Sequence, residues 1–210
     1  MAPACLSPSR ERTLGCYITA REELGRLPRD SALYWHIDRF ASQASAETAK
    51  GPRGTVVNSL GQIWLFTIAD SAWHPAQGER VARIGPLPLV AADSFAAVYM
   101  EGIFEPGMHS VVHRHPGVEA WYTIVGEQCV ETPQGKQVQR AGGPGVLVPG
   151  GLPMMLTGTG TTDPPIAGLD SPGRHSAALH ARHRLDARRT LPAIAPNAHY
   201  PQPRSRSRVA

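Results

Sequence analysis

The chain has 210 residues, 41% of them hydrophobic, a length that predicts one compact domain with sequence to spare at the ends. Its 21 Gly and 20 Pro exclude a fold of long helices, because both residues interrupt helices and mark turns. The net charge of +4 comes from residues 171–210, which hold eight arginines and one acidic residue; the rest holds 13 basic and 16 acidic residues. This distribution excludes a basic nucleic-acid face on the core, so we expect no nucleic-acid partner.

Cysteine usage and the N-terminus predict the compartment. Cys5, Cys16 and Cys129 are odd in number, widely spaced and without a CxxC pair, which argues against a disulfide framework and a thiolate zinc site. Residues 1–29 contain no apolar run of the length that an export signal or a membrane span needs. We therefore expect a cytoplasmic protein that does not contact a membrane.

The first third of the chain predicts few elements. Residues 1–30 mix Pro, Arg, Glu and small residues without periodicity, which predicts a mobile leader. The Ala-rich stretch 38–50 predicts one short helix, with Asp38 as N-cap and Gly51 as its stop. Residues 55–70 form two runs rich in Val, Ile, Trp and Phe around a central glycine, the pattern of a strand pair.

Beyond residue 95, alternating apolar runs are separated by turn residues roughly every 8 to 10 positions, a rhythm typical of a β-sandwich or barrel. After residue 162 the composition changes to Pro, Arg, Ala, His and Ser, which predicts a disordered Arg/Pro-rich tail over 164–210. The expected fold is thus all-β, with one domain over 31–163, a short N-terminal helix and disordered ends. The predicted strands lie at 95–105, 110–115, 119–125, 128–132, 137–140, 145–148 and 153–157.

Three side chains in this region have the pattern of a metal site. His113 and His115 are two positions apart, so on a strand they project from the same face, about 6.6 Å apart along it. Glu119 follows a Pro-Gly turn and opens the next predicted strand, from which its carboxylate can reach the same point. Two histidines and one carboxylate form a facial ligand set for a divalent metal. The alternative is a pair of surface histidines beside a solvated glutamate.

The same residues resemble the first motif of the cupin superfamily. Gly107, five residues, His113-Arg114-His115, three residues, Glu119, six residues and Gly126 match that motif at every defined position. A looser likeness to uncharacterised bacterial cupins covers residues 33–163. The resemblance implies a single double-stranded β-helix, the cupin jelly-roll barrel, and a homodimer.

The second cupin motif aligns over Gly143, Pro149-Gly150-Gly151 and Met154, where the family carries a histidine as its fourth metal ligand. A thioether is a weak ligand for a hard divalent ion, so we predict that Met154 forms an apolar wall of the pocket. Trp121 shares a strand face with Glu119 and is the second predicted pocket residue. Beyond Thr161 two prolines stand where the resemblance implies a closing strand, which predicts that this strand is lost or replaced. An incomplete barrel that needs a partner edge stays open as a third alternative.

These observations predict a metalloenzyme of the dioxygenase type that acts on a small oxygen-rich molecule. His113, His115 and Glu119 would hold the metal, with Fe(II) favoured over Mn, Ni or Zn. A non-catalytic cupin without metal, which binds or senses a small molecule, stays open as the alternative, because the fold alone does not specify a function. The sequence assigns no catalytic side chain beyond the metal ligands.

Overall fold

The computed structural model of the chain describes residues 14–92, 94–160, 166–171 and 180–181. Antiparallel strands make up most of these residues. The strands are β1 (Gly15–Gly25), β2 (Tyr34–Phe40), β3 (Gly54–Ser59), β4 (Gln62–Ala69), β5 (Glu79–Ile84), β6 (Phe95–Phe104), β7 (Glu119–Val125), β8 (Glu127–Thr132), β9 (Gly135–Arg140), β10 (Val146–Val148), β11 (Met155–Thr159), β12 (Ile166–Ser171) and β13 (His180–Ala181). The helix α1 spans Gln43–Ala49 and is too short to cross a membrane.

Two sheets form a barrel. The first sheet runs in the order β1-β6-β12-β7-β10, and β13 pairs with β6 beyond the end of β12. The second sheet runs β11-β8-β9, and its fourth member is the segment before β7, which pairs with β11 through the bridges His109 to Thr157 and His113 to Met154. The all-β prediction is confirmed, as are the strands predicted beyond residue 95, except that 110–115 forms isolated bridges only.

A third sheet, in the order β3-β4-β2-β5, packs against the outer face of the first sheet. Its strands place Trp35 and Phe66 beside Tyr99 of β6, with ring centroids 5.4 Å apart for Trp35 and Phe66 and 5.0 Å apart for Phe66 and Tyr99. A buried carboxylate adds a polar link, because Glu101 of β6 accepts hydrogen bonds from Ser59 Oγ at 2.5 Å and from the Leu60 amide at 3.2 Å. The two sheets therefore share the largest apolar core.

The predicted helix exists, but its start was predicted wrongly. Its N-cap is Ser42, whose Oγ accepts a hydrogen bond from the Ser45 amide at 3.2 Å. Asp38 instead lies in β2, buried, where it accepts a hydrogen bond from Arg80 Nε at 2.6 Å. The strand wins over the helix there because Trp35 and Ile37 alternate into the shared core.

The predictions for both ends were partly wrong. Residues 15–25 of the predicted leader form β1, which pairs with β6 along its whole length and buries Tyr17 and Leu24. The closing strand is present as β12, which lies between β6 and β7 although we placed it in the tail. Its two prolines, Pro164 and Pro165, precede the strand, so they remove no donor from it. Residues 1–13 and 182–210 lie outside the described residues.

The cysteine prediction was also wrong at one position. Cys16 is disulfide-bonded, while Cys129 is a free, buried thiol. Burial raises the pKa of Cys129, which keeps the thiol protonated and unreactive at neutral pH. The cytoplasmic compartment stays a prediction, and it no longer has the support of unpaired cysteines.

The buried His36 is expected to make the fold sensitive to acid. Its Nε2 lies 2.8 Å from the Asp70 carbonyl, and burial, with the charge of Arg80, lowers its pKa to about 4. His36 is protonated near pH 6.5 in the unfolded chain but only near pH 4 in the folded chain. The free energy of unfolding therefore falls as the pH drops through this window. The His36 share of that loss is about 3 kcal/mol.

Urea unfolding at pH 7.5 and 4.5 measures this effect. His36→Gln should flatten the dependence relative to the wild type, whereas His109→Gln, at an exposed histidine, should leave it unchanged. An equal loss of stability in all three proteins would show that His36 does not titrate as described.

Candidate metal centre

The three predicted ligands meet at one end of the barrel interior. Two backbone hydrogen bonds hold His113 to Met154. The His113 amide donates to the Met154 carbonyl oxygen at 3.0 Å, and the Met154 amide donates to the His113 carbonyl oxygen at 2.9 Å. The Pro116-Gly117 turn then reverses the chain, and Glu119 begins β7 opposite Val148 of β10. The two histidines therefore come from a loop and the carboxylate from a strand of the other sheet.

The donor atoms form the compact group that the sequence predicts. One ligand atom from each of His113, His115 and Glu119 lies within 4.8 Å of the others. The two imidazole rings meet edge to face with centroids 4.8 Å apart, and His115 Nε2 lies 3.3 Å from Glu119 Oε2. Metal bonds of about 2.0–2.2 Å place facial donors about 3 Å apart, so a bound ion would draw these side chains slightly closer together.

A backbone carbonyl orients the first histidine. His113 Nδ1 lies 2.8 Å from the Val111 carbonyl oxygen, which accepts a hydrogen bond only if Nδ1 carries the proton. The Nε2 lone pair is then the one that a metal would use. The hydrogen bond to Val111 therefore favours the neutral tautomer whose Nε2 can bind a metal.

The carboxylate is the most buried member of the group. Glu119 is 2% exposed, and its Oε2 receives no hydrogen bond from the described residues. Burial raises the pKa of Glu119 well above its usual range, because a charge without solvent is costly. A divalent cation would offset the charge that burial disfavours. The residues present therefore fit a divalent metal.

Both predicted pocket residues lie in one apolar cluster next to the ligands. Met154 is 2% exposed. It is the bridge partner of His113, so the two side chains are neighbours on the same face of the sheet. Trp121 is fully buried two positions after Glu119. The apolar cluster consists of Phe104, Trp121, Val130, Val146, Val148, Met154 and Leu156. The barrel below the ligands is thus filled with apolar side chains.

The strand order decides the fold. Eight segments of the barrel are, in chain order, β6, the segment before β7, β7, β8, β9, β10, β11 and β12. If these are numbered 1 to 8, one sheet contains the order 1-8-3-6 and the other has the order 2-7-4-5. This is the order of a double-sheet jelly roll. The chain has the cupin fold. The third sheet, β2 to β5, lies outside this barrel.

Comparison with solved structures finds matches of low identity, some of which are described as cupin or double-stranded β-helix proteins. The chain is similar to a cupin superfamily protein from Desulfitobacterium hafniense DCB-2, with 14% identity over 43% of this chain and 72% of the other, at a TM-score of 0.33. A conserved Klebsiella pneumoniae protein with a double-stranded β-helix domain shares 20% identity over 46% and 79%, also at 0.33. TT1209 from Thermus thermophilus shares 21% identity over 40% and 72%, again at 0.33. No family model and no curated protein matches the chain.

The sequence did not reveal what holds the ligand loop in place. Arg114 Nη1 donates a hydrogen bond to the Gly151 carbonyl oxygen at 2.6 Å. The Gly151 amide in turn donates to the His115 carbonyl at 2.7 Å. The only hint in the sequence is the glycine pair at 150–151, which marks a close backbone approach without naming its partner.

Proposed function

We propose that this cupin is a metalloprotein in which His113, His115 and Glu119 hold one divalent transition metal. The observation that carries the proposal is the grouping of two imidazoles and a buried carboxylate within 4.8 Å. A 2-His-1-carboxylate set with open positions is typical of non-haem Fe(II) oxygenases, so Fe(II) is favoured over Mn, Ni or Zn. The proposed reaction class is a dioxygenase-type oxidation of a small oxygen-rich molecule.

Each side chain has a role in this proposal. A ferrous ion, when bound, supplies the redox chemistry with O₂ that no side chain can perform. Glu119 contributes the negative charge of the ligand set, and the Val111 carbonyl keeps His113 in the required tautomer. Met154 and Trp121 form an apolar wall that excludes water from the interior beside the ligands.

Substrate-dependent oxygen uptake tests this reaction class. Protein loaded anaerobically with Fe(II) would be offered O₂ with a panel of small chelators: 1,3-diketones, catechols and 2-oxo acids. We expect at least one compound to drive O₂ uptake, and His113→Ala to abolish it. His109→Ala, at an exposed histidine outside the donor group, should retain the activity.

A non-catalytic binding or sensing cupin is the second candidate. The observation that favours it is Met154, a buried thioether where the second motif carries a histidine, which leaves three protein ligands. Compounds that raise the thermal midpoint without O₂ uptake, in the presence and absence of Fe(II), would support this function and contradict the first. The homodimer and the small-molecule partner stay predictions under either function.

A further inference from the structure

The residue between the two histidine ligands joins the two halves of the site. Arg114 is exposed, yet its Nη1 donates a hydrogen bond of 2.6 Å to the Gly151 carbonyl oxygen. Gly151 returns a hydrogen bond of 2.7 Å from its amide to the carbonyl of His115. The two bonds close a ring between the ligand loop and the loop before β11. Arg114 and its neighbour His115 are thereby fixed to one glycine.

The loops also touch through their backbones. A Cβ on Gly150 would lie 2.7 Å from the Pro116 carbonyl oxygen, closer than real Cβ atoms approach, and 3.0 Å from the Gly117 carbonyl carbon. Gly151 has a φ of +84°, in the left-handed region that favours glycine. Both glycines are therefore required for the contact that brings the Gly151 carbonyl to Arg114.

The same segment holds the other histidine. Three residues after Gly151, Met154 exchanges two backbone hydrogen bonds with His113, at 3.0 and 2.9 Å. Residues 150–154 thus fasten His113 on one side of Arg114 and His115 on the other. The Met154 bonds are backbone to backbone, so Arg114 is the side chain through which substitution can loosen the contact.

We propose that Arg114 is a positioning residue for the metal ligands, which holds His115 at its distance from Glu119 through Gly151. This inference rests on the proposed metal centre. A hydrogen bond from a charged group is stronger than one between neutral groups, and a carbonyl is a single acceptor that a lysine can also reach. Loss of a group that hydrogen-bonds a ligand directly typically weakens metal binding roughly 10- to 100-fold, and Arg114 acts one contact further out, so we expect the lower end of that range.

The test compares Arg114→Ala, Arg114→Lys and Gly150→Ala with the wild type and with Arg140→Ala. Arg140 is a matched control, because its side chain is 80% exposed and pairs with Glu127, and neither residue belongs to the donor group. Metal affinity would be measured by chelator competition with Co(II), whose absorption spectrum reports ligand geometry. We expect Arg114→Ala and Gly150→Ala to raise the dissociation constant by about 10-fold or more and to change the spectrum. Arg114→Lys should restore most of both.

A wild-type affinity and spectrum in Arg114→Ala would overturn the positioning role while leaving the metal centre intact. Amide hydrogen exchange in the metal-free protein separates this failure from that of the proposed function. The Gly151 amide should exchange faster in Arg114→Ala than in the wild type, and equal rates would overturn the role. A wild type that binds no Co(II) would overturn the metal centre, and the positioning of ligands with it, whatever the exchange rates show.

Discussion

Replacing Glu119 by glutamine is expected to weaken metal binding more than 100-fold. The change keeps the size of the side chain but removes the negative charge from the ligand set, which leaves two neutral imidazoles and an amide. Loss of an outer-shell partner already costs roughly 10- to 100-fold, so loss of a ligand charge should exceed that range. Calorimetric titration of the metal-free protein with Fe(II) or Co(II) measures the change.

The control for this substitution is Glu131→Gln. Glu131 lies at the protein surface in β8, where it pairs with Lys136 at 2.7 Å. Its loss should change metal affinity by less than about two-fold, because exposed ion pairs contribute little and this one lies outside the donor group. Equal metal affinities for the wild type and Glu119→Gln would show that the Glu119 carboxylate is not a metal ligand.

The second large effect is expected in the core that joins the barrel to the third sheet. Trp35 is completely buried, and its ring packs against Phe66 and Tyr99 with centroids 5.4 and 6.4 Å away. Trp35→Ala should therefore lower the free energy of unfolding by about 3–5 kcal/mol, the usual cost of deleting a large buried aromatic side chain. Urea unfolding should show one transition moved to lower urea, with the slope unchanged.

The matched change at the surface is Val138→Ala in β9, where the valine is 54% exposed. It should shift stability by less than about 0.5 kcal/mol. If Trp35→Ala lost less than about 1 kcal/mol, or if unfolding separated into two transitions, the third sheet would not be packed on the barrel as described.

The cluster of two histidines and one glutamate could be predicted because its signal is local. His113 and His115 are separated by one residue, and the turn that brings Glu119 to them lies between ligands in the sequence. The strands beyond residue 95 were predictable for the same reason, since alternation and turn glycines mark each of them separately. The sequence assigns these elements because each needs little information from the rest of the chain.

The elements that were missed depend on distant partners. In β2 the apolar Trp35 and Ile37 alternate with His36 and Asp38, but these two polar side chains are buried just as completely. Their burial is tolerated through Arg80 and the Asp70 carbonyl, which lie 42 and 34 positions away. Composition alone therefore favours a helix start at Asp38.

β12 was missed for a related reason. Gly168 weakens its strand signal, but a Cβ there would lie 3.1 Å from Gln128 Nε2, so the glycine leaves room for a side chain of the facing sheet. Its neighbours β6 and β7 are fixed only once the whole jelly roll has formed. The role of Arg114 was hidden in the same way, because its acceptor Gly151 lies 37 positions away.

Metal content is the sharpest test of the proposed centre. Protein purified without a histidine tag would be analysed for transition metals, before and after anaerobic loading with Fe(II). The His113→Ala/His115→Ala double variant would be treated in the same way. We predict close to one metal ion per chain in the wild type and almost none in the variant. A wild type that holds no metal after loading, or a variant that holds as much as the wild type, would show that these residues do not form a metal centre.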